Sequence, residues 1–321
     1  MHSPVGTVHT LFNKPSADLI LRSCDSVDFY VLKAIMAEAS PVFEDMLALP
    51  QPATGGLRSP GRIASDARVT QMTEDARTIE HVLRFIYPVE PPDIAELGEI
   101  FPVLEMCDKF VLACVTKLAM RQYAALAEKQ PLRAYALACR WRREDAMRIA
   151  ARASLAYPAP ERTTYLAELE DVTAGAVVRL HQYHSKCSAA VATLRPPAPS
   201  QTGTWVAPWV QADDRPWVSS LLSSRYYGVY YSLTMAGGTT VRPSRWWIDC
   251  MLELFKKLKF TPDPNLMKSP GEIAQFLRAV PSLVPRLRSE EVALLTTALC
   301  ECAEELARAI EGKISEVCWP A

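Results

Sequence analysis

The stretch from Ala17 to Pro50, ADLILRSCDSVDFYVLKAIMAEASPVFEDMLALP, constrains the fold more than any other part of the chain, because it asks for strands and helices in immediate succession. Leu19 and Leu21 alternate with Asp18, Ile20 and Arg22, the period of a short strand, and Phe29 and Val31 repeat it after a turn at Cys24-Asp25-Ser26. The pair reads as a hairpin. From Lys33 the texture changes: Ala34, Ile35, Met36, Ala37 and Ala39 are helix material without glycine or proline, so the second strand runs into a helix. Ser40-Pro41 then starts another. Serine is a preferred N-cap and proline suits the first helical position, while Glu44 and Asp45 complement the positive end of the helix dipole. Val42, Phe43, Met46, Leu47 and Leu49 supply its apolar face.

The run Asp18, Asp28-Phe29, Lys33-Ala34-Ile35-Met36-Ala37, Ser40 and Phe43 resembles the opening of a BTB/POZ domain, and more narrowly the BTB proteins of mushroom-forming fungi. The resemblance implies an α+β fold, a short β-sheet flanked by helices, followed here by a mainly α-helical extension. It also implies a dimerising interaction domain without catalytic machinery, whose partner is itself or a related BTB protein. Asp18 and Lys33 match the acidic and basic residues of the family's charged pocket at the dimer base; the position before that lysine, usually histidine, is Leu32. The expected interface comprises Leu11, Phe12, Asp18, Lys33, Met36 and Ala37, and a charge at Met36 is expected to weaken association. The resemblance also permits a second role, as substrate adaptor of a cullin-type ubiquitin ligase. Such adaptors often carry a hydrophobic-x-Glu motif in the loop before the third strand. The loop from Gln51 to Arg68 has no glutamate, and Met72-Thr73-Glu74 has the composition but falls after the strand.

A chain of 321 residues has room for two ordinary domains, and 49% hydrophobic residues with 22% charged describe a globular protein with a core. A net charge of −1 without a sustained basic block argues against a nucleic-acid partner; the runs Arg140 to Arg143 and Lys256 to Lys259 read as helix surface. The nine cysteines are odd in number and scattered through helical apolar patterns, the usage of reduced intracellular proteins. The N-terminal MHSPVGTVHTLFNKPS lacks a basic start and an apolar core, and no apolar run approaches the ~20 residues of a membrane span. The expectation is an intracellular protein of the cytoplasm or nucleus, with no membrane partner.

Before Ala17, the residues Val5, Val8, Leu11 and Phe12 do not alternate cleanly, which leaves a frayed lead-in open. In BTB proteins such a lead-in can form a strand exchanged between dimer partners. After Pro50, QPATGGLRSPGRIASDA reads as a flexible surface loop, which in BTB proteins can contact a cullin. Val69-Thr70-Gln71-Met72 is the next expected strand; Thr73 or Asp75 caps a helix with Ile79, Val82, Leu83 and Ile86 on one face, and Pro88 stops it. Asp93 with Glu96 makes a capping-box-like start for Leu97, Ile100, Phe101 and Leu104, a stripe in which Pro102 predicts a kink or break. Cys107-Asp108-Lys109-Phe110 resembles the start of the last helix pair of a BTB domain, continuing through Val111, Val115 and Leu118. The domain is expected over 14–125.

Residues 126–195 read as a helical extension similar in texture to the one that follows BTB domains. From Pro131 to Leu155 there are two stripes rich in small residues, Tyr135, Ala138 and Cys139, then Ala146, Ile149, Ala150 and Ala153. The helical texture continues to about Leu194. Residues 196–245 shift to proline and aromatics, an irregular segment. Trp205, Trp209, Trp217, Trp246 and Trp247 lie in or beside it with Tyr226, Tyr227, Tyr230 and Tyr231, either anchoring the segment by packing or lining an aromatic peptide groove. Residues 246–321 form a C-terminal helical region: Trp246 to Leu258, a turn at Pro262-Asp263-Pro264-Asn265, Pro270 to Ala279, and a long helix capped by Ser289. On that last helix Val292, Leu295, Leu299, Cys302, Leu306 and Ile310 recur at spacings of three and four up to Val317. The stripe needs a partner, inside the protein or, as a coiled coil, on another chain.

No phosphate-binding glycine loop, GxSxG, HExxH or paired CxxC occurs. His181, His184 and Cys187 are the only cluster of ligand-type residues, but at i, i+3 and i+6 of one helix they converge poorly for zinc. Cys300 and Cys302 point apart on a helix, and five histidines leave little for a Cys–His nucleophilic pair. The reading is a non-enzymatic interaction protein with no catalytic residue, cofactor or metal. A metal-dependent enzyme built on His181, His184 and Cys187 is the remaining alternative.

Overall fold

The computed structural model describes residues 7–49, 68–157, 165–196, 204–206, 209, 232–234, 240–241, 245–278 and 289–320. The chain divides into two compact units, Met1–Ala150 and Ala151–Ala321.

The first unit opens with strand β1 (Thr7–Asn13), then the expected hairpin of β2 (Leu19–Arg22) and β3 (Val27–Val31). Ser26 closes the hairpin turn in the left-handed region at φ 67°, and the Ser23 hydroxyl accepts the Val27 N–H at 2.9 Å. Helix α1 (Lys33–Ala39) follows β3 after one residue, and α2 (Pro41–Ala48) follows Ser40, whose hydroxyl accepts the Phe43 N–H at 3.1 Å. Strand β4 (Arg68–Gln71) lies parallel to β2, so the sheet has the order β1-β3-β2-β4 with only the hairpin antiparallel. Leu19, Leu21 and Phe29 of the two central strands are fully buried, and Ile20 between the leucines is buried as well. Burial on both faces explains why the alternation along β2 is incomplete.

Helices α3 (Ala76–Ile86), α4 (Leu97–Phe110), α5 (Ala113–Lys129), α6 (Pro131–Arg140) and α7 (Glu144–Ala153) follow. Asp75 caps α3 by accepting the Thr78 N–H at 2.7 Å, and Ile79, Val82 and Leu83 form its buried face. The expected capping box at Asp93 does not form. Gln122 of α5 instead holds the preceding chain extended, donating to the Pro92 carbonyl at 2.7 Å and accepting the Ile94 N–H at 3.2 Å, so α4 begins only at Leu97. Pro102 sits inside α4 without ending it. The bond it cannot make is to the carbonyl of Gly98, an exposed first-turn residue whose carbonyl water can reach.

Cys107-Asp108-Lys109-Phe110 ends a helix rather than beginning one. Val111 takes φ 53° and ψ 49°, its N–H donates to the Asp108 carbonyl and the Leu112 N–H to the Cys107 carbonyl, which is a Schellman stop with valine where glycine is usual. The run from Pro131 to Leu155 is divided by the same device. Arg142 takes φ 54°, its N–H donates to Cys139 and the Arg143 N–H donates to Ala138. The buried Tyr123 hydroxyl lies 3.1 Å from the carbonyls of both Ala134 and Ala146, which ties α5 to α6 and α7.

In the second unit α8 (Ala174–Ala192) is capped by Thr173, and the chain continues through α9 (Arg245–Leu258), α10 (Pro270–Arg278) and α11 (Ser289–Ser315). Between α8 and α9, β5 (Thr204–Val206), β6 (Ser232–Thr234) and β7 (Thr240–Val241) form a small sheet that the proline-rich sequence did not announce. Leu299, Cys302, Leu306 and Ile310 are buried, and α11 packs on α8, on α10 and on the short turn Leu266–Lys268. From Leu299 on, the apolar stripe therefore finds its partner inside the unit, while Leu295 is half-buried and the side chain of Val292 lies outside the described residues. Val317 lies beyond the helix end.

Candidate protein-interaction site

The lead-in is a strand because its apolar residues find the sheet. β1 runs parallel to β3, with Thr7 opposite Val27 and Val8 opposite Asp28, but the register then slips, so that Asn13 faces Tyr30. Five residue steps on β1 cover two on β3. Over that slip the Leu11 and Phe12 N–H groups donate to Nδ1 of His9 at 3.3 and 3.4 Å in place of the ladder. His9 is itself stacked on Phe29 with centroids 4.5 Å apart, and its Nε2 lies 3.5 Å from Glu80. Phe12 points inward, 5.4 Å from the ring of Tyr87 and 6.1 Å from Phe29. Its burial fastens β1 by roughly 1.5–3 kcal/mol. Val8 and Leu11 point outward and are 45% and 43% exposed on the sheet's edge strand.

Asp18 and Lys33 meet through the backbone of Lys33. Its N–H donates to the Asp18 carboxylate at 2.7 Å, while among the described residues no ion pair joins the two charged groups. Asp18 thereby caps α1 from outside the helix, a job that Leu32 at the N-cap has no side chain to do. The Leu32 N–H donates to the Tyr87 hydroxyl at 2.8 Å; burial pushes that hydroxyl's pKa up, and the nearby Asp18 carboxylate adds to the effect. Tyr87 and His9 were missed in the sequence. Tyr87 lies directly after the last turn of α3, where only its helix-stopping neighbour Pro88 was legible.

The six residues expected at an interface fall into two groups. Leu11 and Asp18 are exposed and Lys33 and Ala37 partly so, whereas Met36 is completely buried and Phe12 nearly so. A charge at Met36 would therefore act on the unit's own core before acting on any partner. Glu74, the acidic residue of Met72-Thr73-Glu74, is engaged too. Lys109 Nζ reaches its carboxylate at 2.8 Å and the Thr73 hydroxyl at 2.7 Å. Burial works to raise the Glu74 pKa, but bonds from Lys109, Thr73 and the backbone outweigh it and hold the carboxyl below its usual range. The loop 51–67 lies outside the described residues.

The ligand-type residues of α8 separate. His181 is exposed, whereas His184 and Cys187 are buried. Nε2 of His184 lies 2.8 Å from the Ser154 hydroxyl, which donates to the Ala151 carbonyl at 2.7 Å. The contact satisfies two buried polar groups, the Ser154 hydroxyl and the His184 ring, inside the unit's own core. Among the described residues no three His, Cys, Asp or Glu side chains converge on a metal position. Cys107, Cys187, Cys250 and Cys302 are buried as small hydrophobes; burial pushes the thiols of Cys107, Cys250 and Cys302 up to about 12, which keeps them protonated and unreactive. Cys24, Cys114, Cys300 and Cys318 depart from that pattern and are exposed.

Of the clustered tryptophans, Trp209 and Trp247 are buried with their rings 6.3 Å apart, and Trp209 Nε1 donates to the Leu194 carbonyl at 3.3 Å. These two serve packing. Trp217, Tyr226, Tyr227, Tyr230 and Tyr231, with the side chains of Trp205 and Trp246, lie outside the described residues. Among the described residues no helix is long and apolar enough to cross a membrane.

The first unit combines a small mixed sheet carrying an N-terminal edge strand, two short helices after the hairpin and a helical closure. Residues 9–124 match the BTB/POZ domain. The match begins inside β1 and ends inside α5, so it takes in the fastened lead-in as well as the sheet. The N-terminal part of the chain is thus a BTB/POZ domain, a protein–protein interaction module, and a mostly helical region follows it. No curated protein matches the chain.

Proposed function

We propose that this protein is a non-enzymatic interaction protein that pairs through its BTB/POZ domain with a second copy of itself or a related BTB chain, and presents its helical region to another partner. The observation that carries the pairing is the outer side of β1: the sheet's edge strand, with two exposed apolar residues, Val8 and Leu11, is a template for another chain. Leu11, Asp18, Lys33 and Ala37 are the residues proposed to meet the partner, with Phe12 and Met36 supporting them from beneath. Recruitment of a cullin-type ligase is a separate reading, and the engagement of Glu74 by Lys109 weighs against it. The narrower kinship with BTB proteins of mushroom-forming fungi rests on the residues of 17–50 alone.

Sedimentation equilibrium tests the pairing. The chain has a mass of 35.7 kDa, and the wild type is expected at twice that value. Leu11→Glu is expected to return it to the monomer mass with an unchanged circular-dichroism spectrum. A wild-type monomer at the highest attainable concentration refutes self-pairing. A cullin recovered with the intact protein at equal stoichiometry would favour the adaptor reading.

A further inference from the structure

Within the second unit, the last turns of α8 and α9 line a cleft of about 80 Å³. Its floor is apolar: Val191, Phe255 and Leu258 are all buried. Ser188 and Ala192, four residues apart on α8, are too small to fill the space. Arg195 and Lys259 stand at its rim, and among the described residues no acidic side chain lines it.

Cations often gather at helix C-termini because orphan carbonyls and the dipole attract them. Here the backbone already supplies donors. The Leu194 and Arg195 N–H groups take the carbonyls of Val191 and Ala192, the Lys259 N–H takes that of Phe255, and the Phe260 and Thr261 N–H groups share that of Lys257. The neighbouring lysines of α9 are also spoken for, Lys256 by Glu253 and Lys257 by Glu272. Among the described residues Arg195 and Lys259 join no ion pair, and Lys259 Nζ merely lies 5.6 Å from its neighbour Phe260's ring centroid. Two cationic residues thus flank an apolar floor with no ion-pair partner among the described residues, and the cleft is far smaller than the several hundred Å³ of a cofactor site.

We infer that this cleft receives one aliphatic side chain flanked by carboxylates, presented by an acidic segment of a partner protein. The aliphatic group covers Val191 and Leu258, and the flanking acids meet Arg195 and Lys259. This goes beyond pairing through the BTB/POZ domain and does not depend on it.

The test is methyl NMR of the full chain titrated with the peptide acetyl-Glu-Glu-Leu-Leu-Glu-Glu-amide. Saturable shifts are expected at the Val191 and Leu258 methyls, with none from the counterpart carrying lysine for glutamate. Arg195→Glu and Lys259→Glu, both at exposed positions, are expected to weaken binding about threefold each and about tenfold together. Ala192→Trp, which fills the cleft, is expected to abolish the shifts while distant methyls stay in place. Equal response to the lysine peptide, or no response to the acidic one up to its solubility limit, overturns the inference.

Discussion

Ser40 holds two helices at once, and its removal has a calculable cost. Its hydroxyl accepts the Phe43 N–H at the start of α2 and donates to the Phe110 carbonyl at the end of α4, and the residue has no exposed surface. The same joint is packed by the rings of Phe43 and Phe110, stacked at 4.6 Å and 16°. Ser40→Ala keeps the ring contact and removes both bonds. Losing the cap costs about 1 kcal/mol, and leaving the Phe110 carbonyl buried without its donor costs about 1–3 kcal/mol more. A total of about 3 kcal/mol corresponds to a fall of roughly two powers of ten in amide protection. Hydrogen exchange read by mass spectrometry on fragments covering α2 measures it in the full chain, where a single unfolding transition is not assured. Glu44→Gln, at an exposed site in the first turn of the same helix, is the control and should change protection by less than about fivefold. If Ser40→Ala lowers protection no more than this control, the Phe110 carbonyl has found another donor and the joint does not depend on the serine.

His81, buried on α3, has its pKa lowered by burial first, with Glu99 opposing and Arg77 assisting. The unfolded chain therefore takes up this proton before the folded one, so the stabilisation is complete above the ordinary value of 6.5 and is lost as pH falls below it. Urea midpoints compared at about pH 7.5 and about pH 5.5 should drop more for the wild type than for His81→Gln, and equal drops would remove His81 from the account. Val111 is 53% exposed in the left-handed region, so Val111→Gly gives up no buried contact. Relief of about 1–2 kcal/mol of backbone strain exceeds the added entropy cost of about 0.5–1 kcal/mol, and the unfolding midpoint should rise; a fall would show that the exposed valine contributes contacts.

The hairpin, α1, α2 and α3 were legible because every signal for them is local. Alternation at Leu19 and Leu21, the cap at Ser40 and the cap at Asp75 each act within a few residues, and the helix bounds of α1 followed directly. The candidate site was less legible. Asp18 and Lys33 were found as a pair, but that the carboxylate binds the Lys33 backbone, and that Tyr87 binds the adjoining N–H, depends on residues 15 and 55 positions apart in the chain.

By itself, the sequence determined where apolar periodicity exists, and hence most helices, the first hairpin and the kind of domain the N-terminal part builds. Tertiary structure alone decided where that periodicity is interrupted and which face is left over. Val111 and Arg142 end helices in a conformation that their side chains disfavour, so no glycine or proline marks either stop. Gln122 held Asp93 out of a helix, and Phe12, docked beside Phe29 and Tyr87, made a strand of a lead-in with no clean alternation. For Gln122 and Phe12 the deciding partner is distant in sequence, and its contact outweighs a local preference of about 1–2 kcal/mol.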